Sequence, residues 1–172
     1  YNYKLIRKYD FTDEYGAKTT LLKLLKNATK QRLKENTTAN CLVSGGLDSA
    51  CIYSILCDDI QPDRINTFSM NFSSHKNKDL GCDETYFQDL IVNKKTHKKI
   101  NFKGISPYSK IDSWLERFDQ PFNLANAYLW EETFNSVAEN KNMQIFDGLD
   151  GDTVISHGWE RLKELFRLNT IG

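Results

Sequence analysis

The sequence predicts an α/β fold, a mainly parallel sheet with helices on both faces, and three observations carry that prediction. Short apolar runs of strand length alternate with longer segments of helical periodicity, a Gly-rich turn directly follows the first such run, and a Gly/Asp turn follows the last. Parallel neighbours need connections long enough to hold a helix, and such crossovers lay helices against the sheet. With 172 residues, 40% of them hydrophobic, and 10 Phe, 8 Tyr and 3 Trp, the chain can bury one sizeable core as a single domain over residues 1–172.

Leu21, Leu24, Leu25, Ala28 and Leu33 recur at helical spacing among Lys, Gln and Arg, predicting an amphipathic scaffold helix with a solvated basic face. After a polar stretch over residues 35–40, Cys41-Leu42-Val43 reads as a buried strand that opens into the Gly-rich turn. A helix is expected over residues 47–57 and a second strand over 65–72. Residues 73–81, polar and Lys-rich, read as a surface loop. A helix over 83–92 follows, with Tyr86, Phe87, Leu90 and Ile91 sharing a face. Then come a third strand over 97–102, helices over 106–118 and 125–139, a fourth strand over 143–146 and a last helix over 159–168.

Lys plus Arg equals Asp plus Glu at 23 each, so no overall field draws the chain to nucleic acid or to an anionic membrane, and neither is expected as a partner. Cys41, Cys51, Cys57 and Cys82 form no C-x-x-C pair, and the start resembles neither a signal peptide nor a spanning helix. Free thiols in the cytoplasm are the expectation.

The Gly-rich turn is Ser44-Gly45-Gly46-Leu47-Asp48-Ser49. A strand, this turn and a helix beginning near Leu47 aim backbone N–H groups and the positive end of a helix dipole at one point, which suits a phosphate. Adjacent glycines permit a tight turn and close approach to the anion, and the hydroxyls of Ser44 and Ser49 can donate to it. A carboxylate at Asp48 would repel a polyphosphate unless a cation lies between them, so the loop implies Mg2+ together with ATP. Neither the G-x-x-x-x-G-K-[ST] nor the G-x-G-x-x-G spacing is present.

The hexapeptide resembles the signature of the PP-loop ATP pyrophosphatases, the adenine nucleotide alpha hydrolase-like fold. With Leu in fourth place it is most similar to the synthetase domain of glutamine-dependent asparagine synthetases and their relatives. The upstream Leu-rich helix, the strand before the loop, the FDQPFNLANAY stretch at residues 118–128 and the Gly/Asp turn after Phe146 stand in the order that family shows. The resemblance implies that Leu42 and Met70 flank the adenine through strand backbone and that residues 44–49 (Ser44, Gly45, Gly46, Leu47, Asp48, Ser49) hold the phosphates. It also implies that Asp147 and Gly148 lie by the ribose and that Asp48 and Asp152 hold magnesium. Carboxylates at the carboxyl ends of two strands can meet over a crevice, the usual ligand position in open α/β sheets.

Asparagine synthetases carry approximately S-G-[ED]-G-x-D-E at the second loop, and the first acidic residue there is thought to act in amide formation. Here that position is Leu149, Asp147 replaces the Ser and Thr153 the final Glu. A leucine can neither transfer a proton nor hold a cation, which counts against aspartate amidation by that route and leaves ATP binding intact. The continuation through His157 and Gly158 is similar to asparagine synthase-related proteins that include lasso-peptide cyclases and other amide formers. His157 is the one candidate for a catalytic base or phosphate donor, weighed against a structural place near a helix start.

The resemblance therefore implies an ATP-dependent, AMP-forming amide ligase acting on a small-molecule or peptide carboxylate. Ammonia or an amine would be the acceptor, with a glutaminase domain or subunit as one source. The family's N-terminal glutaminase and its later basic residues are missing from this sequence, so a fragment truncated at its C-terminus is expected. A non-catalytic nucleotide-binding or scaffolding domain is the alternative of a different class. A PP-loop RNA sulfur-transfer enzyme would call for paired reactive cysteines or a basic face, and the sequence offers neither.

Overall fold

The computed structural model describes residues 13–33, 38–72, 84–102, 104–106, 108–120, 126–140, 144–149 and 151. The loop expected over residues 73–81 and the helix expected over 159–168 lie outside them. Two compact units divide the chain, residues 1–35 and residues 36–172.

The first unit contributes one described helix, α1 (Glu14–Arg32). Asp13 caps it by accepting from the Gly16 N–H, and Glu14 places negative charge at the positive end of the dipole. Glu14 also pairs with Lys18 one turn on, at 2.5 Å. The helix thus begins well before Leu21, where the apolar spacing first shows. Leu21 and Leu24 of the expected apolar stripe are 41% and 43% exposed.

The second unit is a four-stranded sheet in the order β3-β2-β1-β4, parallel throughout, with strands β1 (Ala39–Leu42), β2 (Ile65–Asn71), β3 (His97–Asn101) and β4 (Ile145–Phe146). Its helices are α2 (Leu47–Asp59), α3 (Thr85–Ile91), α4 (Ile111–Phe118) and α5 (Ala127–Ala138). The α/β architecture and the parallel sheet are as the sequence predicts.

Register partners in parallel strands share a face, and this sorts the core into two sides. Leu42, Phe68, Met70, Ile100 and Ile145 face α5, where Phe68, Ile100, Phe102 and Val137 form the buried cluster with Leu129 against it. Full burial of a side chain such as Phe68 is worth about 1.5–3 kcal/mol. The opposite side carries Cys41, Thr67, Ser69 and Lys99. Asp89 of α3 pairs with Lys99 there at 2.6 Å, and Cys57 of α2 stands close enough to Cys41 to act on its thiol. Helices therefore cover both faces.

Two expectations change. On α3, Tyr86, Phe87 and Leu90 do share a face, but they are 68%, 55% and 65% exposed, and the buried position is Gln88. The side turned inward meets backbone carbonyls, so it needs a donor and not an apolar group. On α4, the helix starts at Ile111 and not at residue 106. Ser106 accepts from the Tyr108 N–H at 3.2 Å through its hydroxyl and from the Ser109 hydroxyl at 2.6 Å through its carbonyl, a local turn that competes with helix.

Candidate functional site

The chain leaves β1, moves to β2 and then β3 on one side, and returns to β4 on the other side of β1. The strand order thus reverses between β1 and β4. In open α/β sheets, the crevice outside the carboxyl ends at such a reversal is where ligands bind. Both Gly-containing turns leave the sheet at this point, since Cys41 is in register with Phe146.

The first turn is shaped from inside. Gly45 has φ 101°, a conformation that side chains disfavour, and a Cβ there would stand 2.9 Å from the Glu84 Cβ. The buried Ser49 hydroxyl accepts from the Ser44 N–H at 3.1 Å and lies 3.1 Å from the Gly46 carbonyl and 3.0 Å from the Ser44 hydroxyl. Ser49 is therefore engaged within the loop, whereas Ser44 is exposed and its oxygen takes the Gly46 N–H at 3.1 Å. No side chain caps α2 at Gly46, which leaves first-turn N–H groups directed outward at the positive end of a thirteen-residue helix.

The second turn lies directly on the first. A Cβ on Gly148 would come 2.5 Å from the Ser49 nitrogen and 2.7 Å from the Asp48 carbonyl carbon, and one on Gly151 would come 2.5 Å from the Asp48 Cγ. At Gly148 the neighbours are backbone and only glycine permits this approach, whereas a side chain at Gly151 would have to displace that of Asp48. The Asp147 carboxylate accepts from the Leu149 N–H at 3.2 Å, closing an Asx turn that holds the loop down. Burial pushes the Cys41 thiol up to about 12, and the Asp147 charge adds to the shift. Cys57 is also raised, chiefly by burial. Neither thiol is poised as a thiolate.

Ser44, Gly45, Gly46, Leu47, Asp48, Ser49, Asp147 and Gly148 thus gather in one place. Leu42 ends β1 and Met70 is the last residue but one of β2 beside it, with their side chains packed against the α5-side core. Among the described residues no three His, Cys, Asp or Glu side chains cluster as a metal site. Asp152 and His157 lie outside the described residues. The donor set nonetheless suits a hard cation: Asp48 offers carboxylate oxygens and packs against Gly151, the chain neighbour of Asp152.

Sequence reasoning missed three contributors. Gln88 donates from Nε2 to the Ser44 carbonyl at 2.9 Å and to the Met70 carbonyl at 3.4 Å, Ser69 donates its hydroxyl to the Val43 carbonyl, and Gly151 packs on Asp48. A polar residue set amid Tyr86, Phe87 and Leu90 was the available signal for Gln88.

Residues 20–164 match the family described as asparagine synthase. This chain belongs to the asparagine synthase family. The match runs through every described strand and through both turns of the site. The chain is also similar to a Methanocaldococcus jannaschii protein named "Putative asparagine synthetase (glutamine-hydrolyzing) 2", at 28% identity over 128 aligned residues. That alignment covers 68% of this chain and 24% of the relative, so the chain spans about a quarter of the relative's length. As a member of the asparagine synthase family, the chain has the parallel α/β sheet expected of PP-loop proteins. No helix among the described residues is long and apolar enough to cross a membrane.

Proposed function

We propose that this chain is the ATP-binding region of an asparagine synthase-like, AMP-forming amide ligase. The observation that carries the reading is the meeting of the two Gly turns at the β1/β4 strand-order reversal, on the uncapped N-terminus of α2. The family match spans residues 20–164 and supports reading that stretch as one asparagine synthase-like region. The reading implies a compartment that supplies ATP, the cytoplasm.

In this scheme the strand backbones at Leu42 and Met70 flank the adenine, Asp147 and Gly148 lie by the ribose, and residues 44–49 receive the phosphates. A carboxylate oxygen of the substrate attacks the α-phosphorus, the bond to the bridging oxygen breaks, and pyrophosphate leaves. An amine or ammonia nitrogen then attacks the acyl carbon, and AMP departs with the bonding electrons. The first-turn N–H groups of α2 and the Ser44 hydroxyl stabilise charge on the phosphates, and the rigid turn orients the α-phosphate for attack. Magnesium held by Asp48 and Asp152 would neutralise phosphate charge and help pyrophosphate leave. The amine must lose a proton, for which His157 is the candidate.

Leu149 favours a second reading. It is 63% exposed on the second turn and cannot move a proton, which is compatible with a nucleotide-binding module that forms no amide. The raised Cys41 and Cys57 thiols weigh against sulfur transfer.

Calorimetric titration with magnesium and a non-hydrolysable ATP analogue tests the site. Saturable, magnesium-dependent binding is expected, weakened at least about tenfold in Asp48→Asn, or roughly 1.4 kcal/mol, with the thermal midpoint unchanged. No binding, or equal binding by the variant, would refute the assignment. Exchange of labelled pyrophosphate into ATP in the presence of amino-acid and peptide carboxylates separates ligase from module.

A further inference from the structure

We propose that Gln88 is a positioning residue for the phosphate turn, its side-chain amide fixing the carbonyls of Ser44 and Met70 just past the end of the β1–β2 ladder. This inference rests on the nucleotide reading of the site. The last backbone bond across the two strand ends among the described residues runs from the Val43 N–H to the Phe68 carbonyl, at 2.8 Å. Beyond it, side chains serve the carbonyls: the Ser69 hydroxyl donates to Val43, and Gln88 Nε2 donates to Ser44 at 2.9 Å and to Met70 at 3.4 Å. A carbonyl leaving a ladder for a buried turn needs a donor, and only an amino group with two hydrogens can serve both at once. The Gln88 Cγ also lies 3.4 Å from the point a Cβ on Gly45 would occupy, so the same side chain backs the left-handed residue of the turn.

The other end of the amide identifies this as more than packing. Gln88 is 3% exposed and its Oε1 is buried with no hydrogen-bond partner among the described residues. A buried acceptor without a donor costs the fold, and a Met or Leu at this position would fill similar volume without that cost. Flipping the amide offers no relief, because Oε1 would then face two carbonyl oxygens. Its shorter donor contact serves the Ser44 carbonyl, which opens the phosphate turn, and its longer one serves the Met70 carbonyl of β2. Gln88 touches no phosphate in this account. It acts through Ser44 and Gly45.

The test uses the full chain, unmodified and as Gln88→Met, titrated with magnesium and a non-hydrolysable ATP analogue and, separately, with adenosine. The analogue's dissociation constant should rise about tenfold to a hundredfold, the range seen when an outer-shell partner of a metal site is lost, while adenosine, which meets only the longer Met70 contact, should weaken several-fold less. The thermal midpoint should move little, since Met removes the unpaired oxygen but also the donor of the Ser44 and Met70 carbonyls. Amide exchange should quicken at Gly45 and Gly46 but not along β2. A role confined to stability would lower the midpoint and weaken both ligands together, overturning the inference. Unchanged analogue binding by Gln88→Met would overturn it while leaving the nucleotide site standing. Failure of the unmodified chain to bind the analogue removes both. Should Gln88→Met not fold, the side-chain amide resonances of Gln88 in the unmodified protein decide: they must shift further on binding the analogue than on binding adenosine, and any other pattern refutes the proposal.

Discussion

On the α5 side of the sheet, Phe68, Ile100, Phe102 and Val137 meet through apolar contact, and Phe72 stacks on Phe102 with ring centroids 5.4 Å apart. On the α2 and α3 side, the same strands present Thr67, Ser69 and His97, each hydrogen-bonded, and receive Gln88 from α3. Apolar burial is strong and non-directional, whereas hydrogen bonds contribute little net stability but fix angles. One side therefore holds the sheet together and the other aims its loops. The phosphate turn depends on the first for existence and on the second for shape.

Breaking the apolar side should have the largest effect. Phe68→Ala removes a side chain that is 2% exposed from the centre of that cluster, and a loss of about 3–5 kcal/mol is expected in urea denaturation. A loss under about 1 kcal/mol would mean the cluster collapses around the gap and that the contrast between the sides is overstated. Next comes the junction of the turns. Gly148→Ala forces a methyl to within 2.5 Å of the Ser49 nitrogen, which the two backbones can accommodate only by parting. The expected cost is about 1–3 kcal/mol in stability, together with loss of nucleotide binding in the same titration that tests Asp48. Binding retained at full affinity would show that the second turn is not part of the phosphate site.

Much of this arrangement was legible in advance, and the limits are physical. Periodicity locates β2 and α5 because their apolar positions face a core, and the SGGLDS turn is legible because few backbones other than a tight strand-to-helix turn call for that string. The boundaries of α1 and α4 were not legible. Asp13 sets one through a cap upstream of any apolar signal, and a serine turn at Ser106 delays the other. The inward face of α3 was misjudged for a different reason. Hydrophobic spacing reports what burial against apolar atoms requires, and α3 packs Gln88 against strand-end carbonyls while Tyr86 and Phe87 remain outside. That the turns touch through Gly148 and Gly151 is a tertiary fact that spacing along the chain cannot encode.

The polar side has two ends, and a smaller effect separates them. His97 opens β3, at the end opposite the phosphate turn, where Nδ1 meets the Thr67 hydroxyl at 3.0 Å and Nε2 is buried without a partner among the described residues. Burial, with Lys99 adding to it, holds the imidazole below its ordinary value of 6.5, and the Asp89 charge opposes this in part. A folded value below the unfolded one means the unfolded chain binds more protons in the interval between them. Stability contributed by the neutral ring is present above pH 6.5, falls as pH drops through that value, and stops falling below the folded value. Asp89, lowered chiefly by its hydrogen bond to Lys99, acts in a separate window below its ordinary 3.8. Chemical denaturation at about pH 7.5 and about pH 5 should therefore show a decline in the unmodified chain that is shallower in His97→Gln. Nucleotide affinity at the higher pH should not move, because Gln88 and Ser69, not His97, hold the loop. An equal decline in both proteins would assign the slope to other groups, and an affinity change in His97→Gln would show that the two ends of the polar side act as one.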